Sequence, residues 1–313
     1  LRLDVREGYV QSWNLAVQRA VAAGFTFEAA YVGNHGLRMP AVRNINAGLV
    51  PGLGAAGQPL FQKFGHSAQA NELYYPTSSN YHALQVKFDR RFSGGFLLTT
   101  SYTYSKAIDF TADSGGLAVP SNPRINRARA DYDFTHNFVQ SYIYELPFGR
   151  NRRWLRDGVG RWALGGWQVN GIFTAQSGAP LSLSISSAAL NAPGNTNRPN
   201  LVGSGTPEIF GAVGRNAFWF DTSRFAPPPS ATYGNVGRNI LSGPGLVNLD
   251  FSVFRKFILT ERFKLEFRFE SLNFTNTPHF NNPGTTYGNP GFGQVTTAQA
   301  DQRQIQLGRK LYF

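Results

Sequence analysis

The segment Arg262–Asn273 constrains this chain more than any other stretch. Phe263, Leu265, Phe267 and Phe269 alternate with Lys264, Glu266, Arg268 and Glu270. Successive side chains of a strand point to opposite faces, so a strand here has one wholly apolar face and one wholly charged face. Wound as a helix, the same residues would scatter phenylalanine and charge around the circumference. The segment reads as a β-strand that separates an apolar medium from water.

The same period of two recurs along the chain. Trp13, Leu15 and Val17 alternate with Ser12, Asn14 and Gln18, and Phe25, Phe27, Ala29 and Tyr31 follow a turn at Ala22–Gly24. Leu84, Val86 and Phe88 alternate with Gln85, Lys87 and Asp89 before a turn at Ser93–Gly95. Phe96, Leu98, Tyr102 and Tyr104 alternate with Thr99, Ser101, Thr103 and Ser105. Phe134–Leu146 is strand-like but less cleanly sided, and Trp167, Val169 and Phe173 alternate with Gln168, Asn170 and Thr174. Val247, Leu249, Phe251 and Val253 alternate with Asn248, Asp250 and Ser252, and a turn at Leu259–Glu261 leads into the first segment described. Gln302–Phe313 puts Ile305, Leu307, Leu311 and Phe313 on one face. This predicts about nine strands, or ten if Gly178–Ile185 is one, each near the ~9–11 residues that cross a bilayer at a tilt.

The connections alternate in length. Long polar loops are expected at 34–80, 107–133, 186–245 and 275–301, between the short turns. Transmembrane barrels show this pattern, with short turns on the periplasmic side and long loops outside; soluble domains rarely carry several such loops. The 147–165 connection is an exception, since it should be short and is not. Counting back from a periplasmic C-terminus, the Gly8–Arg19 strand starts outside the cell, whereas a complete barrel starts in the periplasm. The expectation is therefore residues 1–313 as part of a larger barrel, with an odd number of strands, and any plug domain, lying upstream.

Composition agrees. Charged residues are 15%, below the roughly 25% of soluble domains, yet mean hydropathy is only -0.27. A surface apolar on one side and polar on the other reconciles the two. No run reaches the ~18 apolar residues of a membrane-spanning helix. The absence of cysteine excludes disulfides and thiolate metal sites and suits passage through an oxidising periplasm. The net charge of +12 would suit nucleic acid, but the densest run is short (Arg150, Arg152, Arg153 and Arg156 around Trp154) and the other cations are dispersed; no nucleic-acid partner is expected.

The C-terminus, Gln306-Leu307-Gly308-Arg309-Lys310-Leu311-Tyr312-Phe313, resembles the signal by which outer-membrane barrels are assembled. Gln306, Gly308, Leu311 and Phe313 fill its polar, glycine, hydrophobic and terminal aromatic positions. The physical need is an edge strand that the assembly machinery can pair by β-addition, with Gly308 allowing a kink or a close approach. Longer blocks resemble the barrel of Oar-like TonB-dependent receptors: Asn80–Phe88 with Arg90–Phe92, Ser101–Lys106, Asp131–Phe138, Tyr144–Arg150 and Asn273–Asn276. The resemblance covers most of the chain from Asn80 onward and Trp13–Gly36 more loosely. It implies a barrel of about 22 strands around an N-terminal plug, with energy supplied by the inner-membrane TonB complex.

Catalytic chemistry finds no constellation. His35, His66, His82, His136 and His279 are scattered, and no nucleophile elbow occurs. Asp131, Asp133 and His136 are close enough to suggest a metal site but read better as polar residues at a loop-to-strand junction. Gly288–Gly293 lacks the strand–loop–helix setting of a phosphate loop. No catalytic residue, cofactor or metal ligand is assigned. Lys264, Glu266, Arg268 and Glu270 are candidates for lining the barrel interior; the plainer reading is a ladder of alternating charge that stabilises the wall. Phe218, Trp219, Phe220 and Tyr233 are candidates for contacting a ligand outside the cell, against the plainer reading that they pack their own loop.

The fold expected is all-β, an antiparallel transmembrane barrel segment in the bacterial outer membrane, in contact with lipid and lipopolysaccharide. The function expected is energy-coupled uptake of a solute whose identity the sequence does not give. Two alternatives stay open: a passive porin or surface-attachment barrel, and a soluble secreted β-sandwich binding module.

Overall fold

The computed structural model describes residues 6–111, 116–149, 152–299 and 302–313; Arg150 of the basic run, residues 112–115 of one expected loop and residues 300–301 of another lie outside them. Nine long strands dominate: β1 (Tyr9–Ala20), β2 (Phe25–Asn44), β3 (Asn71–Ser93), β4 (Phe96–Asp109), β5 (His136–Glu145), β6 (Trp167–Gln176), β7 (Leu246–Ile258), β8 (Lys264–Leu272) and β9 (Gln304–Tyr312). Two short helices, α1 (Pro59–Phe64) and α2 (Gly158–Leu164), lie in connections. The strands pair in chain order, each antiparallel to the next, in one sheet whose edges are β1 and β9; Ala128–Arg129 adds a short strand beside β4. Gly178–Ile185 does not join this path. Within it, Pro180–Leu181 pairs with Leu241–Ser242 in a separate ribbon.

One two-sided register runs through the whole sheet. Leu15, Tyr31, Leu84 and Tyr104 form a row across β1–β4, and Val169, Val253, Phe269 and Leu307 form one across β6–β9. One position along, Asn170, Ser252, Glu270 and Gln306 form a row on the opposite face. The register also explains the mixed pattern of β5. Phe138, Tyr142 and Tyr144 pair into apolar rows with Gln140 among them, while Val139 and Ile143 fall on the polar face.

The apolar rows are uncovered: Leu15 is 71% and Leu307 68% exposed. A soluble sandwich would bury such rows against a second sheet, and no second sheet packs on this one among the described residues, which excludes that alternative. The buried hydrophobic cluster lies instead in the loops, where Leu181, Leu183, Phe220, Phe225, Val236, Leu241 and Phe292 pack together.

The short turns fall where the alternation breaks. Gly94 and Gly95 join β3 to β4 with φ of 62° and 84°, the doubly positive geometry of a type I′ hairpin. The β6-side connection at 147–165 is long because it contains α2. The loop expected at 34–80 is much shorter, because β2 and β3 stay paired out to Asn44 and Asn71 through register shifts near Met39. These extensions are not cleanly two-sided, and Gly33, Gly36 and Pro40 obscure them in the sequence.

The long connections pack into one cap instead of dangling as separate polar loops. The 177–245 connection ties the others together. Its Gly-rich partner at 45–70 is held by Gly48 N donating to Pro193 O (2.8 Å) and Gly52 N to Leu190 O (3.0 Å). The 110–135 connection is held by Arg238, which ion-pairs with Asp109 and donates to Asn126 O (3.0 Å), and by Arg129 donating to Ser242 (3.1 Å). The 273–303 connection contributes Phe292, whose ring meets Phe220 and Phe225 edge-on at 5.4 and 5.8 Å. Burial, and then the charge of Arg238, hold Arg198 below the usual guanidinium range, and Arg198 donates to Ile125 O at 3.2 Å.

Two outcomes follow from this architecture. Val253→Arg, on an apolar row, should destabilise the protein in lipid by about 2–4 kcal/mol, whereas Ser252→Arg on the opposite face should cost far less; urea unfolding in liposomes measures both. Arg238→Met should remove the Asp109 ion pair and weaken the cap by at most about 3–5 kcal/mol, with Asp109→Asn in the same chain recovering part of the loss. The rate of proteolytic cleavage within 177–245 reads this out while the strands remain folded.

Candidate functional site

Strand β8 sets Lys264, Glu266, Arg268 and Glu270 on the polar face, and the register decides their partners. Glu266 is 2% exposed. It pairs with Arg268 on its own strand and with Lys256 of β7 at 3.4 Å, and it accepts a hydrogen bond from the Tyr312 hydroxyl of β9 at 3.3 Å. The Arg268 guanidinium lies 4.8 Å from the Phe254 ring centroid. Lys264 and Glu270 form no ion pair among the described residues. The four charges are thus half ladder and half unpaired. With the Glu145–Arg152 ion pair, Lys256, Glu266, Arg268 and Tyr312 line a cleft of about 380 Å³ near the short turns.

A larger trough of about 850 Å³ lies along the same face, lined by Gln168, Asn170, Asp250, Ser252, Glu270 and Gln304 among others, with Ile172, Phe254 and Leu272 as apolar patches. Gln168 Nε2 donates to Asn170 Oδ1 (2.6 Å), and Asn170 Nδ2 donates to Ser252 Oγ (3.2 Å). Fixed amide and hydroxyl groups beside apolar patches suit the holding of a polar solute or a protein surface. The sequence reading singled out only the charged members of β8. The amides were legible too, as the polar half of the alternation in β6, β7 and β9.

The four aromatic candidates of the cap differ sharply. Phe220 is 0% exposed, at the centre of the loop core. The Trp219 indole donates to Ser242 O at 2.8 Å, and the Tyr233 hydroxyl shares a hydrogen bond with Ser121 at 2.9 Å. Phe218 alone of the four is exposed, at 38%.

Asp131, Asp133 and His136 turn to different partners. Asp133 accepts from Ala107 N (2.6 Å) and Arg129 Nε (2.8 Å), Asp131 accepts from Asn239, and His136 Nδ1 meets the Tyr102 hydroxyl at 2.8 Å. They are loop-to-strand braces.

The C-terminal residues occupy the edge strand. Gln306 pairs with Glu270, Gly308 with Arg268 and Leu311 with Leu265. The ladder runs through Gly308 without a register shift, and a Cβ added there would meet only the Arg268 Cβ, at an ordinary 3.7 Å; no kink is present. Phe313 is 85% exposed.

Among solved structures, the outer membrane transporter YddB from Escherichia coli shares the fold at a TM-score of 0.50 and 8% identity, over 99% of this chain and 33% of that one. The ferric-catecholate import receptor Fiu from E. coli K12 is similar at a TM-score of 0.48 and 10% identity, over 99% of this chain and 28% of that one. The pyoverdine outer membrane receptor FpvA from Pseudomonas aeruginosa PAO1, solved bound to pyoverdine, gives 0.48 and 11%, over 98% and 30%. This chain therefore spans a third or less of each. No curated protein matches it in sequence. The family described as outer membrane beta barrel domain matches residues 1–306. The two-sided sheet and this match agree: the chain belongs to the outer membrane β-barrel domain family, and its place is the bacterial outer membrane.

Proposed function

We propose that this chain forms part of the wall and the outer cap of a TonB-dependent transporter that takes up a scarce solute at the expense of inner-membrane energy. The remaining strands and a plug would come from outside these residues, and the plug would carry the contact with TonB. The observation that carries the reading is the trough on the polar face. Its amides, carboxylates and apolar patches suit a surface that a plug or solute docks against, and its lining includes Glu270, a charge left without an ion pair among the described residues. The strand blocks that resemble Oar-like receptors support the same reading.

In this reading Lys264, Glu266, Arg268 and Glu270 face the interior, with Glu266 and Arg268 bracing the wall. Phe218 is the member of the aromatic group presented to an external ligand, while Trp219, Phe220 and Tyr233 hold the cap that presents it. The edge strand β9, followed by Phe313, is what the barrel-assembly machinery engages, and lipopolysaccharide contacts the long-loop end.

A passive pore is the competing reading, and conductance separates the two. The full-length protein in planar bilayers should show no steady conductance until urea unfolds the plug, and it should be retained by the immobilised periplasmic domain of TonB. A steady ohmic conductance without urea, together with no retention, would overturn the proposal in favour of a porin.

A further inference from the structure

The apolar face carries charge at one end only in a particular form. Arg19, Arg90, Arg255 and Arg309 all fall on apolar rows near the short turns, opposite Phe27, Phe25, Phe267 and again Phe267 respectively. No Asp or Glu shares those rows in β1–β9 at that end. Across β6–β9 the row reads Trp167, Arg255, Phe267, Arg309. An arginine there costs free energy unless it reaches the membrane–water boundary or finds an anion.

Helix α2 sits on this belt. Arg255, 9% exposed, donates to the carbonyls of Trp162 and Ala163 at the end of α2, and the Trp167 indole donates to Ala163 O at 2.9 Å. These bonds fix the helix against the lipid-facing side of the sheet. Val159 and Trp162 are nonetheless 82% and 72% exposed, which continues the uncovered apolar surface of the strands. Around them Arg153, Arg156 and Arg161 are exposed and form no ion pair among the described residues; Asp157 is the one acid in this stretch.

We propose that α2 and the residues leading into it form an interfacial foot that recruits anionic phospholipid in the periplasmic leaflet, Arg153, Arg156 and Arg161 holding the phosphodiester while Val159 and Trp162 enter the acyl boundary. Two features commit the occupant to a lipid. The apolar residues are continuous with the membrane-facing wall, and the charge complements a phosphate at the depth where headgroups lie. Arg255 acts as a positioning residue that holds the foot. The inference rests on placement in the outer membrane with the short turns toward the periplasm and is independent of any transported solute.

The full-length protein in phosphatidylcholine bilayers, probed with spin-labelled phosphatidylglycerol and spin-labelled phosphatidylcholine, gives the relative association constant directly. Wild type should prefer phosphatidylglycerol, and the triple variant R153Q/R156Q/R161Q should lose about fivefold per arginine that engages a headgroup. The lysine triple variant R153K/R156K/R161K should keep most of the preference. Soluble glycerol phosphate should not compete. An unchanged preference in the glutamine variant would overturn the proposal, as would displacement by glycerol phosphate, which would mark a site for small phosphates instead.

Discussion

Everything in this molecule follows from the demand that a backbone in hydrocarbon satisfy its own hydrogen bonds. Strands can meet that demand only through their neighbours, so each of β1–β9 pairs with the strands beside it in chain order, with β1 and β9 as the edges among the described residues. Because the side-chain period is two, this ladder forces a single sidedness on every strand at once. A slip of one residue anywhere would turn lipid-facing phenylalanines to water. The rows Val169–Val253–Phe269–Leu307 and Asn170–Ser252–Glu270–Gln306 are that constraint made visible.

The ladder also explains where the hydrophobic core is not. A sheet with lipid on one side has no need of a buried centre beneath it, and among the described residues the buried hydrophobic cluster is in the cap, around Phe220. The cap therefore stabilises itself as a small water-soluble unit would, with edge-on aromatic packing and buried ion pairs such as Arg238–Asp109. One chain thus uses two kinds of stabilisation, separated along the membrane normal.

This division sets what could be read from residues alone. Strand existence was legible, because alternation over Phe263–Glu270 or Phe96–Ser105 survives without context. Strand ends were not, since β2 runs on through Gly33, Gly36 and Pro40 to Asn44, still paired with β3, where no alternation signals pairing. How the loops join into one cap was not legible, because Leu190, Phe220, Phe225 and Val236 show no period; their burial arises from contacts between segments far apart in sequence. The polar trough was half legible: the charges of β8 drew notice, while Gln168, Asn170 and Gln304 lay in the same pattern without it.

The arginines show how an exception to the pattern carries information. Arg19, Arg90, Arg255 and Arg309 break the alternation of their strands, and each break looks like noise in isolation. Register sets all four opposite phenylalanines at the short-turn end of the apolar face, with Arg255 and Arg309 flanking Phe267 in a single row, and Arg90 lies 5.3 Å from the ring centroids of both Phe25 and Phe96. Aromatic rings and guanidinium groups both tolerate the boundary between hydrocarbon and water, where one end of the side chain is dry and the other wet. Their place at the short-turn end is where the hydrocarbon is expected to stop, and helix α2 is fastened there to Arg255. The edge of the membrane is thus written into the sheet by charges that would be errors anywhere nearer its middle.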